Sequence, residues 1–200
     1  MIASGPPGAD SSLAARGITK RFGDLVAVDH VDFDVHSGEV HALIGENGAG
    51  KSTLMSVLYG LHRPDGGSIL LHGRDTRFAS CADAMRAGIG MVFQHFLLID
   101  RFTVAENVLL GREPARAGFL KPEVALANVA ALAYAYGFSL EPGARVESLN
   151  VGARQQVELL KVLERNARII ILDEPTAALS PSETKSLFAK AVATSLAVIP

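Results

Sequence analysis

Cysteine is nearly missing from this 200-residue chain, with Cys81 the single one. One thiol can form neither an internal disulfide nor a multi-cysteine zinc cage, which leaves a buried or ordinary thiol. Net charge is nearly missing too. Nineteen Lys and Arg stand against 21 Asp and Glu, a balance of −2. Such a chain has no general electrostatic case for nucleic acid, and no nucleic-acid partner is expected. No apolar run approaches the ~18–20 residues of a membrane helix. The start holds Gly5-Pro6-Pro7-Gly8 and three serines, without a basic leader followed by an apolar stretch, so no secretion signal is read there. Residues 1–12 are expected to be a flexible tail. What remains is 48% hydrophobic and 20% charged, which argues against a mostly disordered chain. The length suits about one domain with its own core. A soluble cytoplasmic protein is expected, with any membrane role arriving through a partner.

The pattern from Leu13 onward is strand-like. Val31, Phe33 and Val35 alternate with Asp32, Asp34 and His36, the period of a half-buried strand. Ser37-Gly38 predicts a turn, Val40 to Ile44 a strand, and Lys51 to Tyr59 a helix ending at Gly60. Pro64-Asp65-Gly66-Gly67 predicts a turn, and Ser68 to Leu71 a strand closed by Gly73. Beyond it, Ala82 to Ala87 reads as a short helix and Ile89 to Phe93 as a buried strand. Val104 to Leu110, Pro122 to Tyr136 and Ala153 to Glu164 read as helices. Ile169 to Leu172 is a fully apolar strand of the kind found inside parallel sheets. Ser180-Pro181-Ser182-Glu183 has the form of a helix start with a capping box. The order predicts an α/β core carrying a helical insertion at about residues 95–166.

Gly45-Glu46-Asn47-Gly48-Ala49-Gly50-Lys51-Ser52 fits G-x-x-x-x-G-K-[ST]. The glycines let backbone N–H groups turn inward around a phosphate chain. The helix beginning near Lys51 aims its positive dipole end at the same anion. Lys51 then reaches the terminal phosphates, and the Ser52 hydroxyl is placed to ligate Mg²⁺. Gly45, Asn47, Gly48, Gly50, Lys51, Ser52 and Thr53 are therefore the nucleotide-binding candidates, ATP and Mg²⁺ the expected ligands. A Gly-rich turn with an accidental lysine is the bland rival. A second carboxylate site follows the apolar run Ile169-Ile170-Ile171-Leu172, where Asp173 and Glu174 emerge. Strand carboxyl ends are where open α/β sheets hold ligands. Asp173 would orient Mg²⁺, and Glu174 would be the base that polarises water for attack on the γ-phosphate. A strand running into a solvated acidic turn is the rival there.

Together these residues resemble the ATP-binding subunit of an ABC transporter over about Leu13 to Ile199. The resemblance implies a P-loop NTPase core with a parallel sheet, an antiparallel β subdomain and a helical insertion, spanning 13–200. It implies that Gln94 senses Mg²⁺ and the attacking water, serving catalysis with Lys51 and Glu174 and serving the metal with Ser52 and Asp173. Leu149-Asn150-Val151-Gly152 resembles the family signature, so Asn150 and Gly152 would close over ATP held by an opposite subunit. That implies a second ATP-binding domain in a head-to-tail dimer. Phe22 sits where the family places an aromatic ring under adenine, although a core aromatic would look the same. Ala177-Ala178-Leu179-Ser180 matches the D-loop position.

Three departures stand out. Asn150 replaces the usual serine of the signature, and Ser180 the usual aspartate of the D-loop. The family's switch histidine has no counterpart, because none of the six histidines follows Glu174. Leu196 to Ile199 resembles the opening of the strand that would carry it, and a chain cut short within a first nucleotide-binding domain is the expectation. Gly88 to Phe96 with Thr103 to Val108 resembles the nucleoside and simple-sugar importer branch. The implied role is ATP hydrolysis powering import through membrane permease subunits, served indirectly by a solute-binding protein, at the cytoplasmic face of the membrane. Phe96, Leu97, Leu98 and Phe102 are the candidates for docking the permease, against burial in the insertion's own core. A catalytically impaired fragment and a soluble ABC-type ATPase are the alternatives.

Overall fold

The computed structural model describes residues 11–116, 119–173 and 197–199. Strands β1 (Ser11–Phe22) and β2 (Leu25–His36) form a long antiparallel hairpin, with Leu13 opposite Val35 and Ala15 opposite Phe33. β1 begins two residues ahead of the expected Leu13, and Ser12 is buried. After helix α1 (Lys51–Leu58), strands β3 (Gly66–Leu71) and β4 (Arg74–Thr76) complete a four-stranded sheet of order β2-β1-β3-β4. The β3–β4 turn is His72-Gly73, both at positive φ (49° and 73°) between the Leu71–Arg74 pair. Two such residues match the right-handed twist of the strands, and glycine takes the second without strain. The buried faces of Leu13, Ala15, Ile18, Phe33, Val35 and Ile69 form the core of this sheet, while Asp32 and His36 face solvent. The alternation expected for Val31, Phe33 and Val35 is present, in a strand longer than expected.

Helix α2 (Cys81–Arg86) starts at Ser80, whose side chain accepts from Asp83 N. Strand β5 (Ile89–Val92) follows. It belongs to a second sheet of order β5-β8-β9, which also holds β8 (Ile169–Leu172) and β9 (Ala197–Ile199). β8 and β9 run parallel, Ile169 opposite Ala197 and Ile171 opposite Ile199. Every residue of β5 and β8 is buried, which explains their unbroken apolar runs: both faces of the sheet are covered.

Residues 92–166 form a compact unit of their own. It holds α3 (Val104–Val108), the short strands β6 (Ala115–Arg116) and β7 (Phe119–Leu120), α4 (Pro122–Tyr136) and α5 (Val151–Glu164). Val104, Ala105, Val108, Leu109, Val129, Ala133, Val157 and Leu160 make its core. α3 begins with a capping box: Thr103 Oγ1 accepts from Glu106 N, and the Glu106 carboxylate accepts from Thr103 N. α4 has Pro122 at its first turn and ends at Gly137 in the left-handed region.

One expectation fails. Residues 40–44 form no strand; Val40 makes a single β-bridge, residues 41–46 carry no regular structure, and Ile44 is 91% exposed. An apolar run has the residue preferences of a strand but becomes one only when a neighbour accepts its N–H groups and donates to its carbonyls. The Ser180 helix start and the D-loop position lie outside the described residues.

Candidate nucleotide site

The phosphate loop folds over β2. Gly48 and Gly50 take φ values of 84° and 86°. At Gly50 this left-handed geometry brings the backbone against β2, and a Cβ there would lie 2.1 Å from the Ala27 carbonyl oxygen. Only glycine fits, for conformation and for space. The loop then enters α1 with Gly50 as its N-cap and no side chain capping the turn. The first N–H groups of α1 therefore lack both intrahelical acceptors and a capping side chain. Lys51 folds back across the loop, its Nζ donating to the Gly45 carbonyl at 2.6 Å and the Glu46 carbonyl at 2.9 Å. An ammonium satisfied by two neutral carbonyls keeps its full charge for an anion.

The end of β8 delivers Asp173 to the same helix terminus. Ser52 Oγ donates to Asp173 Oδ1 at 3.1 Å. A hydroxyl and a carboxylate side by side are hard oxygen donors suited to Mg²⁺, which takes one or two carboxylates and completes its shell with water and substrate phosphates. Among the described residues no group of three or more His, Cys, Asp or Glu forms a self-sufficient metal site. The donor set thus fits a cation shared with a phosphate.

Phe22 ends β1 and is 44% exposed. It makes an edge contact with His62 at 5.3 Å between ring centroids, and Lys20 Nζ lies 5.5 Å from the Phe22 centroid. A core aromatic would be covered; this ring keeps a face in solvent. Asp65 fixes the strand end beside it, accepting from Arg21 N at 2.6 Å and from Lys20 Nζ at 3.2 Å. The Arg21 N–H first, and the Lys20 ammonium second, hold the Asp65 carboxyl below the usual aspartate range. Sequence reading placed Asp65 in a turn and missed this role, since its partners lie 44 and 45 residues away.

The other candidates lie in the 92–166 unit. Gln94 is exposed at a bend after β5. Asn150 is the N-cap of α5, its Oδ1 accepting from Ala153 N at 2.8 Å. Serine would commit its oxygen in the same way, but asparagine keeps an NH₂ group beyond the cap. Gly152 is half-buried in the first turn of α5. Of the docking candidates, Leu97 is 62% exposed while Leu98 packs on the unit's core; Phe96 and Phe102 are half-buried. Ile99, 40% exposed, joins Leu97 at the surface and was not anticipated. Glu174 lies outside the described residues.

Comparison with known proteins bears on the whole arrangement. The family model described as "ABC transporter" matches residues 28–177. The chain belongs to the ABC transporter family. Among its relatives is a ribose import ATP-binding protein of Rubrobacter xylanophilus, 50% identical over 88% of this chain and 35% of that protein. A guanosine import ATP-binding protein of Bacillus subtilis is 48% identical over 85% of this chain and 33% of the relative. The chain thus spans about a third of the length of these curated relatives. A nucleotide-free ATP-binding cassette from an ABC transporter has a TM-score of 0.80 at 26% identity, covering 94% of this chain and 80% of that one. The expected mixed α/β P-loop NTPase fold is therefore the observed one. No helix among the described residues is long and apolar enough to cross a membrane.

Proposed function

We propose that this chain is the ATP-binding and ATP-hydrolysing part of an importer for a simple sugar or nucleoside. The observation that carries the reading is the Ser52–Asp173 pair at the uncapped start of α1, with Lys51 lying across the loop beside it. The relatives are ribose, nucleoside and guanosine import ATP-binding proteins, which supports the cargo class.

In this reading the ATP phosphates lie on the N–H groups of residues 48–53, where the helix dipole and the loop amides favour negative charge. Lys51 exchanges its two loop carbonyls for the β- and γ-phosphates and counters the charge that develops as the terminal bond breaks. Ser52 and Asp173, with Gln94, would hold Mg²⁺, which would supply positive charge against the phosphate oxygens. Glu174 takes a proton from the attacking water. Phe22 offers its open face to adenine. Asn150 and Gly152, at the free amide end of α5, close over ATP held by a second ATP-binding domain, head to tail. The chain works at the cytoplasmic face of the membrane against permease subunits, with a solute-binding protein delivering cargo.

The test is titration with ATP and Mg²⁺ followed by phosphate release. Wild type is expected to bind and turn over ATP. Lys51→Ala is expected to lose binding by about a hundredfold or more, the loss of a charge-assisted pair to phosphate. Wild-type-like titration by Lys51→Ala would refute the assignment.

A further inference from the structure

One face of α5 carries three charged residues, Arg154, Glu158 and Lys161, spaced as neighbours along a helix stripe. All three engage a single short segment. Glu158, 6% exposed, accepts from Leu97 N at 2.5 Å. Lys161 Nζ donates to Leu97 O at 2.8 Å and pairs with the other Glu158 oxygen at 2.9 Å. Arg154 pairs with Asp100 at 3.0 Å, and its remaining guanidinium N–H groups donate to Leu149 O and Glu147 O. From the opposite side Asn107, 2% exposed, brackets Ile99: Oδ1 accepts from Ile99 N at 2.8 Å, and Nδ2 donates to Ile99 O at 3.0 Å.

Residues 97–100 have no regular structure, so their backbone groups need partners from elsewhere. For Leu97 the partners are two side chains, buried Glu158 on the N–H and half-buried Lys161 on the C=O. For Ile99 one buried side chain, Asn107, takes both groups, and Phe102 N also donates to Ile99 O. Burying a glutamate and an asparagine to hold a loop is costly unless each is fully satisfied. The same loop could be held by apolar packing alone, as Leu98 shows on the core. The polar clamp adds direction: it fixes the loop in translation and rotation relative to α5.

The two ends of this assembly are Gln94, three residues before Leu97, and Asn150, the N-cap of α5. Resting on the function proposed above, we propose that Glu158, with Lys161, is a positioning residue that mounts the segment after Gln94 rigidly on the signature helix. Gln94 and the signature end of α5 then move as one body. Glu158 touches neither nucleotide nor water; it acts through the backbone of Leu97.

Amide hydrogen exchange and ATP turnover on Glu158→Ala and Glu158→Gln, each beside wild type, test this. Alanine removes the acceptor for Leu97 N and the partner of Lys161. Exchange at residues 94–99 is expected to rise about tenfold or more, with α4 amides unchanged. Turnover is expected to fall about tenfold at unchanged ATP affinity, a loss confined to kcat. Glutamine keeps an acceptor at the same place and should restore at least part of both. Unaltered exchange in Glu158→Ala overturns the clamp, whatever wild type does with ATP. Faster exchange with unchanged turnover overturns its role in catalysis. Equal losses of ATP affinity and turnover, with no rescue by glutamine, overturn it in favour of simple structural support. Failure of wild type to bind ATP strikes instead at the function reading, and the exchange arm then decides the clamp by itself.

Discussion

Ser52 Oγ donates to Asp173 Oδ1 at 3.1 Å, joining the first turn of α1 to the end of β8 across 121 residues. Ser52 is exposed, and Asp173, half-buried, lies just past the buried strand. In the proposed function they are two halves of a cation site. Ser52→Ala should change stability by no more than about 1 kcal/mol, since the bond is exposed. It should cut the gain in ATP affinity produced by Mg²⁺ about tenfold or more. ATP titrations with and without Mg²⁺ measure this, and a full Mg²⁺-dependent gain in Ser52→Ala would remove Ser52 from the site.

The two left-handed glycines of the loop separate conformational strain from steric clash. Gly48 has φ 84° with nothing within 4 Å of where a Cβ would lie, whereas at Gly50 the Cβ would lie 2.1 Å from Ala27 O. Gly48→Ala should cost about 1–2 kcal/mol, the left-handed penalty. Gly50→Ala must also push the loop off β2 and should cost roughly 2–4 kcal/mol. Urea unfolding of the two variants gives the difference. Equal losses would mean that the close approach to Ala27 carries no cost.

Much of this was legible in the sequence where one local signal decides an element. Pro122 and Gly137 bound α4 because proline is tolerated in a first turn and glycine accepts the left-handed C-cap. Four β-branched or leucine residues bounded by Arg168 and Asp173 became β8. The failures are non-local. Val40 to Ile44 carries the composition of a strand, but a ladder is made by neighbours that composition does not name. Asp65 reads as a turn residue until β1 is placed beside it. In Phe96-Leu97-Leu98 three similar apolar side chains sort into half-buried, exposed and core-packed, and nothing in their identities orders them. The Ser52–Asp173 contact spans 121 residues; its two members are picked out separately, one by the phosphate-loop pattern and one by the rule that strand carboxyl ends hold ligands.

Asp65 gives the phenylalanine corner a pH dependence. Its carboxyl is held below the ordinary aspartate range by the Arg21 N–H and the Lys20 ammonium. A depressed folded-state pKa means stabilisation that is full above the unfolded value, about 3.9, and is lost as pH falls through the folded value. The end of β1 beside Phe22 should therefore loosen only in acid below about pH 4. At neutral pH, Asp65→Asn should weaken the hold on Lys20 and Arg21 in the same direction. NMR of the Arg21 amide and the Phe22 ring against pH tracks this. A transition near neutral pH, or none in acid for a folded chain, would contradict it.

The surface at Leu97 offers the sharpest test of a membrane partner. Leu97 is held by its backbone while its side chain is 62% exposed, and Leu98 beside it packs on the core of the same unit. The two should respond oppositely to charge. Leu97→Glu places a carboxylate in water, so stability should stay within about 0.5 kcal/mol of wild type. Leu98→Glu forces a carboxylate against the buried cluster that contains Val104 and Leu160 and should cost several kcal/mol, roughly 3 or more. If a permease helix lies on this knuckle, Leu97→Glu should lose co-purification with the permease while its melting curve and ATP binding remain those of wild type. Leu98→Glu would lose both together and says nothing about docking, so Leu97 is the informative position. Ile99→Glu, at the less exposed position (40% against 62% for Leu97), should weaken co-purification less. Undiminished co-purification of Leu97→Glu would take this loop out of the permease interface and leave its exposed leucine as ordinary surface.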